Sequence, residues 1–208
     1  WRGRLFRRRR EREGEVYELC RGLPAGKVTE SIARHHGIYA AAGTFAGVYL
    51  SEDGLLWDEM GNGLPTLSAA RGGWRVTGGR AGIIAIAPDG SAAFFLDGTQ
   101  KNAPASATLV WRPVQLPAGK VRDIALLAPT RGVLFAPSAA SALPGVYYGA
   151  RHGRTWSWHR TYYVRARRGG FHVARFASNV VCFSATGIRD GTRTVMMSES
   201  AGDRKSTR

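Results

Sequence analysis

The sequence predicts an all-β protein assembled from repeated four-stranded units of about fifty residues. One observation is a literal repeat: residues 23–28, Leu-Pro-Ala-Gly-Lys-Val, recur as residues 116–121 at an offset of 93 residues. A second observation is a short aromatic strand motif that recurs at about half that offset. A third is that no segment carries a sustained apolar stripe with a 3.6-residue period, so little helix is expected.

The strand motif marks one copy of the unit each time it appears. The copies share a small or polar residue followed by apolar or aromatic residues, and they occupy residues 47–51, 93–97, 145–149 and 194–198. With Tyr49, Phe95, Tyr147 and Met196 taken as equivalent, the successive intervals are 46, 52 and 49 residues. Such a period is typical of a propeller blade, in which four short strands and three turns form one unit. We therefore predict a β-propeller fragment of about four four-stranded blades, an incomplete ring of a larger propeller.

The first two blades are expected at residues 21–65 and 66–116. In the first, His-Gly, Gly-Thr and Asp-Gly turns separate strands at 28–34, 38–42, 47–51 and 55–60. In the second, the strands are expected at 73–77, 82–87, 92–96 and 108–115. Asp89-Gly90 favours a two-residue hairpin because both residues tolerate positive φ. The second strand of each blade is the most apolar, as at Ile83, Ile84 and Ile86, and is expected to be buried.

The third and fourth blades are expected at residues 117–167 and 168–202. The third has predicted strands at 121–128, 132–136, 145–148 and 155–163, and the fourth at 171–177, 180–184 and 194–198. Residues 1–14 are Arg-rich and are interpreted as the end of a preceding blade or a loop, with 15–19 as its last strand. Residues 203–208 match the translation of a common sequencing adapter, so we expect a non-native tail on a partial chain and exclude it from the fold.

Charge and composition restrict the function only weakly. The formal net charge is +15, but the arginines are scattered at strand ends and turns without interleaved aromatic residues, so nucleic acid is an unlikely partner. The two cysteines form neither a disulfide framework nor a metal-ligand spacing, and no metal or cofactor is expected. No apolar run reaches the length of a transmembrane segment, about 20 residues. The compartment is not assigned.

A turn motif follows the third strand of the units. Residues 51–57, Ser-Glu-Asp-Gly-Leu-Leu-Trp, resemble the Asp-box consensus Ser-x-Asp-x-Gly-x-Thr-Trp with one residue fewer. Residues 149–156 keep Gly153, Thr155 and Trp156 but have Arg151 in place of the aspartate. The other two copies are more degenerate. The second copy keeps Asp97-Gly98 and, after an insertion, Trp111, and the fourth copy, at residues 198–202, keeps the serine and the glycine. A Leu-Pro phrase accompanies the motif at residues 23–24, 64–65 and 116–117.

These motifs make the chain similar to the Asp-box (BNR) repeat propellers, which include sialidases, xyloglucanase-type endo-glucanases, the sortilin ectodomain and photosystem II assembly factors. The resemblance covers residues 15–202. It implies that the Asp carboxylate accepts backbone N–H bonds across the turn while Trp packs beneath it, away from the substrate face. Structural roles are therefore expected for Ser51, Asp53, Gly54, Trp57, Gly153, Thr155 and Trp156.

No complete catalytic set is visible, and no catalytic residue is assigned. The weak carboxylate candidates are Glu30 and Asp123, which occupy the same position in the first strands of blades one and three; a solvated strand end is the alternative reading. Arg34, Arg75 and Arg122 are weak candidates for ligand binding.

Two functions stay open. The first is a non-catalytic recognition or assembly scaffold that binds a protein or carbohydrate on one propeller face. The second is a glycoside hydrolase, sialidase-like or xyloglucanase-like, with catalytic residues partly in missing blades; whether the chain is an enzyme is left undecided, with a preference for no.

Overall fold

The fold consists of strands alone in the part of the chain that can be described. The computed structural model describes residues 4–11, 14–67, 72–79, 82–97, 109–117, 120–121, 123–128, 131–136, 145–153, 155–162, 170–176, 180–186, 194–198 and 205–207. These residues include eighteen strands and no helix, which confirms the all-β prediction.

Sixteen of the strands form four antiparallel four-stranded sheets, and the other two form a hairpin at the start of the chain. The N-terminal hairpin is β1 (Phe6–Glu11) and β2 (Gly14–Leu19), and the first sheet is β3 (Thr29–His35), β4 (Ile38–Gly43), β5 (Tyr49–Ser51) and β6 (Asp58–Glu59). The second is β7 (Arg75–Gly79), β8 (Gly82–Ile86), β9 (Ala93–Asp97) and β10 (Val110–Pro113). The third is β11 (Asp123–Ala128), β12 (Arg131–Ala136), β13 (Gly145–His152) and β14 (Thr155–Tyr162). The fourth is β15 (Gly170–Phe176), β16 (Val180–Thr186), β17 (Thr194–Ser198) and β18 (Lys205–Thr207).

Each four-stranded sheet is a simple meander in which neighbours along the chain are neighbours in the sheet. The positions predicted to be equivalent, Tyr49, Phe95, Tyr147 and Met196, lie on β5, β9, β13 and β17, the third strand of every sheet. The sequence period therefore corresponds to one sheet per repeat.

The chain divides into two compact units. One comprises residues 1–88 and 94–112, and so holds the N-terminal hairpin with the first sheet and nearly all of the second. The other comprises residues 89–93 and 113–208 and holds the third and fourth sheets.

The first sheet starts with a tight hairpin that sets the register of β3 and β4. His35 pairs with Ile38 across His36 and Gly37, whose φ values are 44° and 86°. Positive φ at both central residues defines a type I′ turn, whose twist matches that of the two strands it joins. Along β3 the buried residues Ala33 and His35 alternate with exposed ones, so a single face of this strand is packed.

The second strands of the first two sheets form the core of the first unit, as predicted. Ile83, Ile84 and Ile86 of β8 are fully buried, and so are the three consecutive alanines 40–42 of β4. Consecutive buried residues on one strand mean that both faces of the sheet are covered. Small alanine side chains in β4 permit the close approach of a neighbouring sheet.

The second sheet packs on the first through β7 and β3. The Val76 backbone N–H donates to the Ser31 hydroxyl at 2.9 Å. A Cβ built on Gly78 would stand 3.3 Å from the Ala33 methyl, so glycine and alanine allow the two first strands to lie close together. Trp74 meets Phe94 edge-to-face with ring centroids 5.6 Å apart, which adds a favourable aromatic contact.

The two ends of the described chain add strands to those expected. Residues 7–10, interpreted as part of the end of a preceding blade or of a loop, form most of the exposed edge strand β1 and pair with β2 in register from Arg7–Glu18 to Arg10–Glu15. Opposite charges on paired strands stabilise such a hairpin, and ion pairs join Arg7 to Glu18 at 2.8 Å and Arg8 to Glu15 at 3.2 Å. In the tail that was excluded from the fold, residues 205–207 pair with β17 and complete the fourth sheet.

Candidate functional site

The turn between β5 and β6, here called the Ser51–Trp57 turn, is held by one carboxylate oxygen. Asp53 Oδ1 accepts the backbone N–H groups of Leu55 at 2.7 Å and Leu56 at 2.9 Å, and the Ser51 hydroxyl at 3.0 Å. The Ser51 hydroxyl oxygen in turn accepts the Gly54 N–H at 2.8 Å. Gly54 has a φ of 76°, a conformation that glycine adopts without strain. The polar groups of the turn therefore bond to the turn itself.

The turn is closed by its own tryptophan and contacted by two other residues of the first unit, Cys20 and Arg7. The buried Trp57 donates its indole N–H to the Gly54 carbonyl at 3.3 Å, and the Cys20 thiol lies 3.1 Å from the same oxygen. Arg7 Nη1 donates to the Asp53 carbonyl at 2.9 Å and so ties β1 to the turn. Burial raises the pKa of the Cys20 thiol, which favours its neutral form.

The hydrogen bonds from Leu56 and Leu55 lower the pKa of the Asp53 carboxyl below its ordinary value of 3.8. A depressed folded pKa contributes stability that is present above pH 3.8 and is lost as the pH falls through the lower, folded value. We expect Asp53→Asn to flatten the loss of stability on acidification below about pH 4, because asparagine keeps an acceptor oxygen and does not titrate.

Urea unfolding at a series of pH values measures this effect. Glu52→Gln is the matched control, since it removes the same charge from the adjacent residue and none of the turn's bonds. An acid transition that is the same in the wild type and in Asp53→Asn would contradict the assignment.

The residues just before each Leu-Pro phrase contact a tryptophan of the repeat that follows. Before the first phrase, the Arg21 carbonyl accepts the backbone N–H of Trp57 at 3.0 Å; before the second, the Asn62 carbonyl accepts that of Trp111 at 2.9 Å. Gly22 and Gly63 follow these acceptors, have φ values of 89° and 88°, and lie so close to the tryptophan carbonyls that a Cβ would overlap them. The first two phrases therefore dock in the same way.

The third phrase docks with a side chain instead of a backbone carbonyl. Gln115 occupies the position of Gly22 and Gly63, and its Oε1 accepts the Trp156 N–H at 3.0 Å while its carbonyl accepts the Trp158 indole N–H at 2.6 Å. The rings of Trp156 and Trp158 are stacked at 5.3 Å between centroids. The contact is thus kept although the glycine is replaced.

The more degenerate turns are closed in other ways. In the third sheet, Gly153 has a φ of 60° and Thr155 is exposed. Arg151, which stands where the consensus has aspartate, donates through Nε to the Gly153 carbonyl at 2.8 Å. In the second sheet, Asp97 forms an ion pair with Arg112 of the adjacent strand at 2.7 Å. Residues 199–202 of the fourth copy lie outside the described residues.

Two grooves open on the first unit. The turn groove, about 330 Å³ in volume, lies beside the Ser51–Trp57 turn, and its lining combines Ile38, Leu50, Leu56, Met60 and Leu109 with Ser51, Glu52, Asp53 and Asp58. Leu56 is 60% exposed there. The edge groove, about 360 Å³, is lined by Arg4, Leu5 and residues 28–32 of the first sheet.

The predicted ligand and catalytic candidates are distributed over both units. Glu30 is exposed in the edge groove, at a register shift between Thr29 and Ser31, and Asp123 begins β11 and accepts the Ile124 N–H at 3.0 Å. These two residues lie in different units, so their pairing stays a prediction. Arg34 is exposed on β3, 4.9 Å from the Tyr39 ring centroid, and Arg75 begins β7. Arg122 lies outside the described residues.

Sequence reasoning missed several residues of the turn and its dockings. No contact role was expected for Cys20, Arg21, Asn62 or Gln115, although each lies within three residues of a Leu-Pro phrase. The recurrence of that phrase was the signal that could have identified them.

Within the described ranges, no helix is long and apolar enough to cross a membrane, and no group of three or more His, Cys, Asp or Glu side chains is placed to hold a metal ion. No family model matches the chain, and no curated protein matches it significantly.

Proposed function

We propose that the four sheets are blades of an Asp-box β-propeller that acts as a non-catalytic recognition or assembly scaffold, binding a protein or a carbohydrate. One four-stranded meander per repeat supports the blade interpretation, as does the packing of β7 on β3. The bonding of Asp53 across its turn agrees with the structural role that the resemblance implies.

The engagement of five carboxylates of the described residues in structural contacts is the observation that carries the proposal. Asp53 bonds to its own turn, Asp97 pairs with Arg112, and Asp89 bonds to Ser91 with its Oδ1 2.6 Å from the Ser91 hydroxyl. Glu15 and Glu18 pair with arginines of β1. A glycosidase needs two carboxyl groups directed at one bond, and carboxylates committed to turns and ion pairs do not serve that purpose.

The turn groove supplies a surface suited to recognition. Its aliphatic side chains offer apolar contact area, and the carboxylates of Glu52 and Asp58 in its lining can accept hydrogen bonds from a sugar hydroxyl or a peptide N–H. A mostly apolar lining with a few polar groups is the usual form of such a site.

Glu30 is the observation that favours the alternative, a glycoside hydrolase. It is an exposed carboxylate in the edge groove, which also contains Arg4. The volume of this groove, about 360 Å³, lies within the range of small-molecule sites. A second carboxylate opposite it would complete the chemistry.

Turnover and binding are measured together to test the proposal. We expect no hydrolysis of a fluorogenic sialoside or of a β-glucan. We expect saturable binding, either on a panel of glycans or in crosslinking to a protein partner. Leu56→Asp should weaken this binding at least tenfold. Hydrolysis that is lost in Glu30→Gln or Asp123→Asn would establish the enzyme instead. Saturable binding that Leu56→Asp leaves unchanged would remove the turn groove from the proposal.

A further inference from the structure

Two aliphatic side chains of β3 and its entry are exposed at the edge groove. Val28 is 44% exposed and Ile32 is 49% exposed, and both line the opening that begins at Arg4 and Leu5. Because β3 is the edge strand of the first sheet, its outer edge and this apolar face are available to the same partner.

The second sheet indicates what normally covers this position. Gly79 pairs with Gly82 as His35 pairs with Ile38, so counting back from these closing pairs makes Val76 the equivalent of Ile32, and Trp74 the equivalent of Glu30. Val76 and Trp74 are buried, 5% and 1% exposed, on a strand that packs against the first sheet. Ile32 therefore occupies a position that is covered by a preceding sheet one repeat later.

The backbone of β3 has the same orientation as that of β7. A two-residue hairpin closes on a hydrogen-bonded pair, and bonded and non-bonded pairs alternate from there. The N–H of Ile32 therefore points away from β4, as the N–H of Val76 points away from β8 to reach the Ser31 hydroxyl. At its outer edge the first sheet thus presents the Ile32 N–H, the equivalent of the Val76 N–H by which the second sheet bonds to the first.

The N-terminal hairpin corresponds to the outer half of such a preceding sheet. β2 is followed by the phrase that docks on Trp57, just as β6 is followed by the phrase that docks on Trp111. By this order β1 and β2 correspond to the third and fourth strands of a four-stranded sheet. The Cys20 N–H donates to the Leu5 carbonyl, so the backbone N–H and C=O groups of Leu5 and Arg7 point toward β2. Those of Arg8 and Arg10 point to the opposite edge of β1, where the described residues place no strand.

We propose that the open edge of β1 and the edge groove together form a docking site for a β-hairpin with the chemistry of β3–β4. One of its strands pairs with Arg8 and Arg10 of β1, and the small-residue face of the other covers Ile32 and offers a serine hydroxyl to its N–H. This is recognition by strand addition, in which main-chain bonds supply affinity and side-chain contacts supply register. The proposal depends on the equivalence of the sheets and not on the ligand of the turn groove.

A labelled peptide of residues 29–43, which contains Ser31 and Ala33 on the required face, is titrated against the whole 208-residue chain and followed by fluorescence anisotropy. We expect saturable binding that a scrambled peptide lacks. Arg8→Pro removes the edge N–H and Ile32→Lys places a charge in the groove, and each should weaken binding at least tenfold. Arg8→Ala, which keeps the N–H, and Val16→Lys, which adds a charge on the exposed face of β2, should bind as the wild type does.

Hydrogen exchange supplies the second readout. Peptide binding should slow exchange at the amides of Arg8, Arg10 and Ile32. Binding of the scrambled peptide with equal affinity, unchanged binding by Ile32→Lys, or protection confined to other amides would overturn the proposal. These results leave the glycan and turnover assays untouched, so failure here is distinguishable from failure of the proposed scaffold function.

Discussion

Replacing Gly63 by alanine is expected to lower the free energy of unfolding by about 3 kcal/mol, from about 1–2 for a left-handed alanine and the rest for forced overpacking. Gly63 has a φ of 88°, and its position against the Trp111 carbonyl leaves no room for a Cβ. The backbone must therefore shift, and this shift weakens the 2.9 Å bond from the Trp111 N–H to the Asn62 carbonyl. Gly22→Ala should behave in the same way, because a Cβ there overlaps the Trp57 carbonyl.

Gly26→Ala provides the matched control for both variants. Gly26 also has positive φ, 72°, but nothing lies within 4 Å of a Cβ built on it. The difference between Gly63→Ala and Gly26→Ala in urea unfolding is therefore the cost of the steric overlap alone. Equal losses in the two variants would mean that the Leu-Pro phrases do not dock tightly on the following tryptophans.

The division into four sheets could be predicted because a short strand motif, a small or polar residue followed by apolar or aromatic residues, marks each repeat at nearly constant spacing. Strand lengths could not be predicted as well, and β6 gives the reason. It was expected at 55–60 but spans only Asp58–Glu59, because the N–H groups of Leu55 and Leu56 bond to Asp53 and that of Trp57 bonds to Arg21. Donors engaged in the turn and in docking are not available to the strand ladder.

The first strand of the N-terminal hairpin, β1, escaped prediction for an electrostatic reason, whereas β2 corresponds to the strand expected at residues 15–19. Four consecutive arginines indicate a solvated segment when they are considered alone, yet Glu18 and Glu15 of the adjacent strand form ion pairs with Arg7 and Arg8. Only the pairing register, which is a tertiary property, shows that these glutamates offset part of the positive charge. The candidate Arg122 and the fourth turn lie outside the described residues, so expectations for them stay predictions.

Docking of the tryptophans also escaped prediction because its partners are distant along the chain. Trp57 and Trp111 lie 36 and 49 residues after Arg21 and Asn62, and no local pattern links such positions. Gln115 begins the third copy of the phrase, where the other two copies have glycine, and no sequence pattern indicates a contact for its side chain. Its side-chain oxygen nevertheless supplies the acceptor. The contact is therefore kept, although the acceptor belongs to the residue at the glycine position and not to the residue before it.

Replacing Trp111 by alanine is expected to be the most destabilising single change in the first unit, with a loss of about 4 kcal/mol, the range found for buried tryptophan truncated to alanine. Trp111 is 1% exposed, and its indole N–H donates to the Met60 carbonyl at 2.9 Å. Truncation removes the packed ring and leaves that carbonyl without its donor, and both losses act against the folded state.

Trp111→Phe separates the two contributions, because it keeps most of the ring and removes only the indole donor; a loss of about 1–2 kcal/mol is expected for it. Leu56→Ala, at a side chain that is 60% exposed, should change stability by less than about 0.5 kcal/mol and controls for truncation at an exposed site. All three are compared by urea unfolding under one set of conditions. If Trp111→Ala loses no more than Leu56→Ala, the tryptophan does not hold the second sheet to the Asn62–Gly63 phrase, and the repeated docking contact contributes nothing to the stability of the unit.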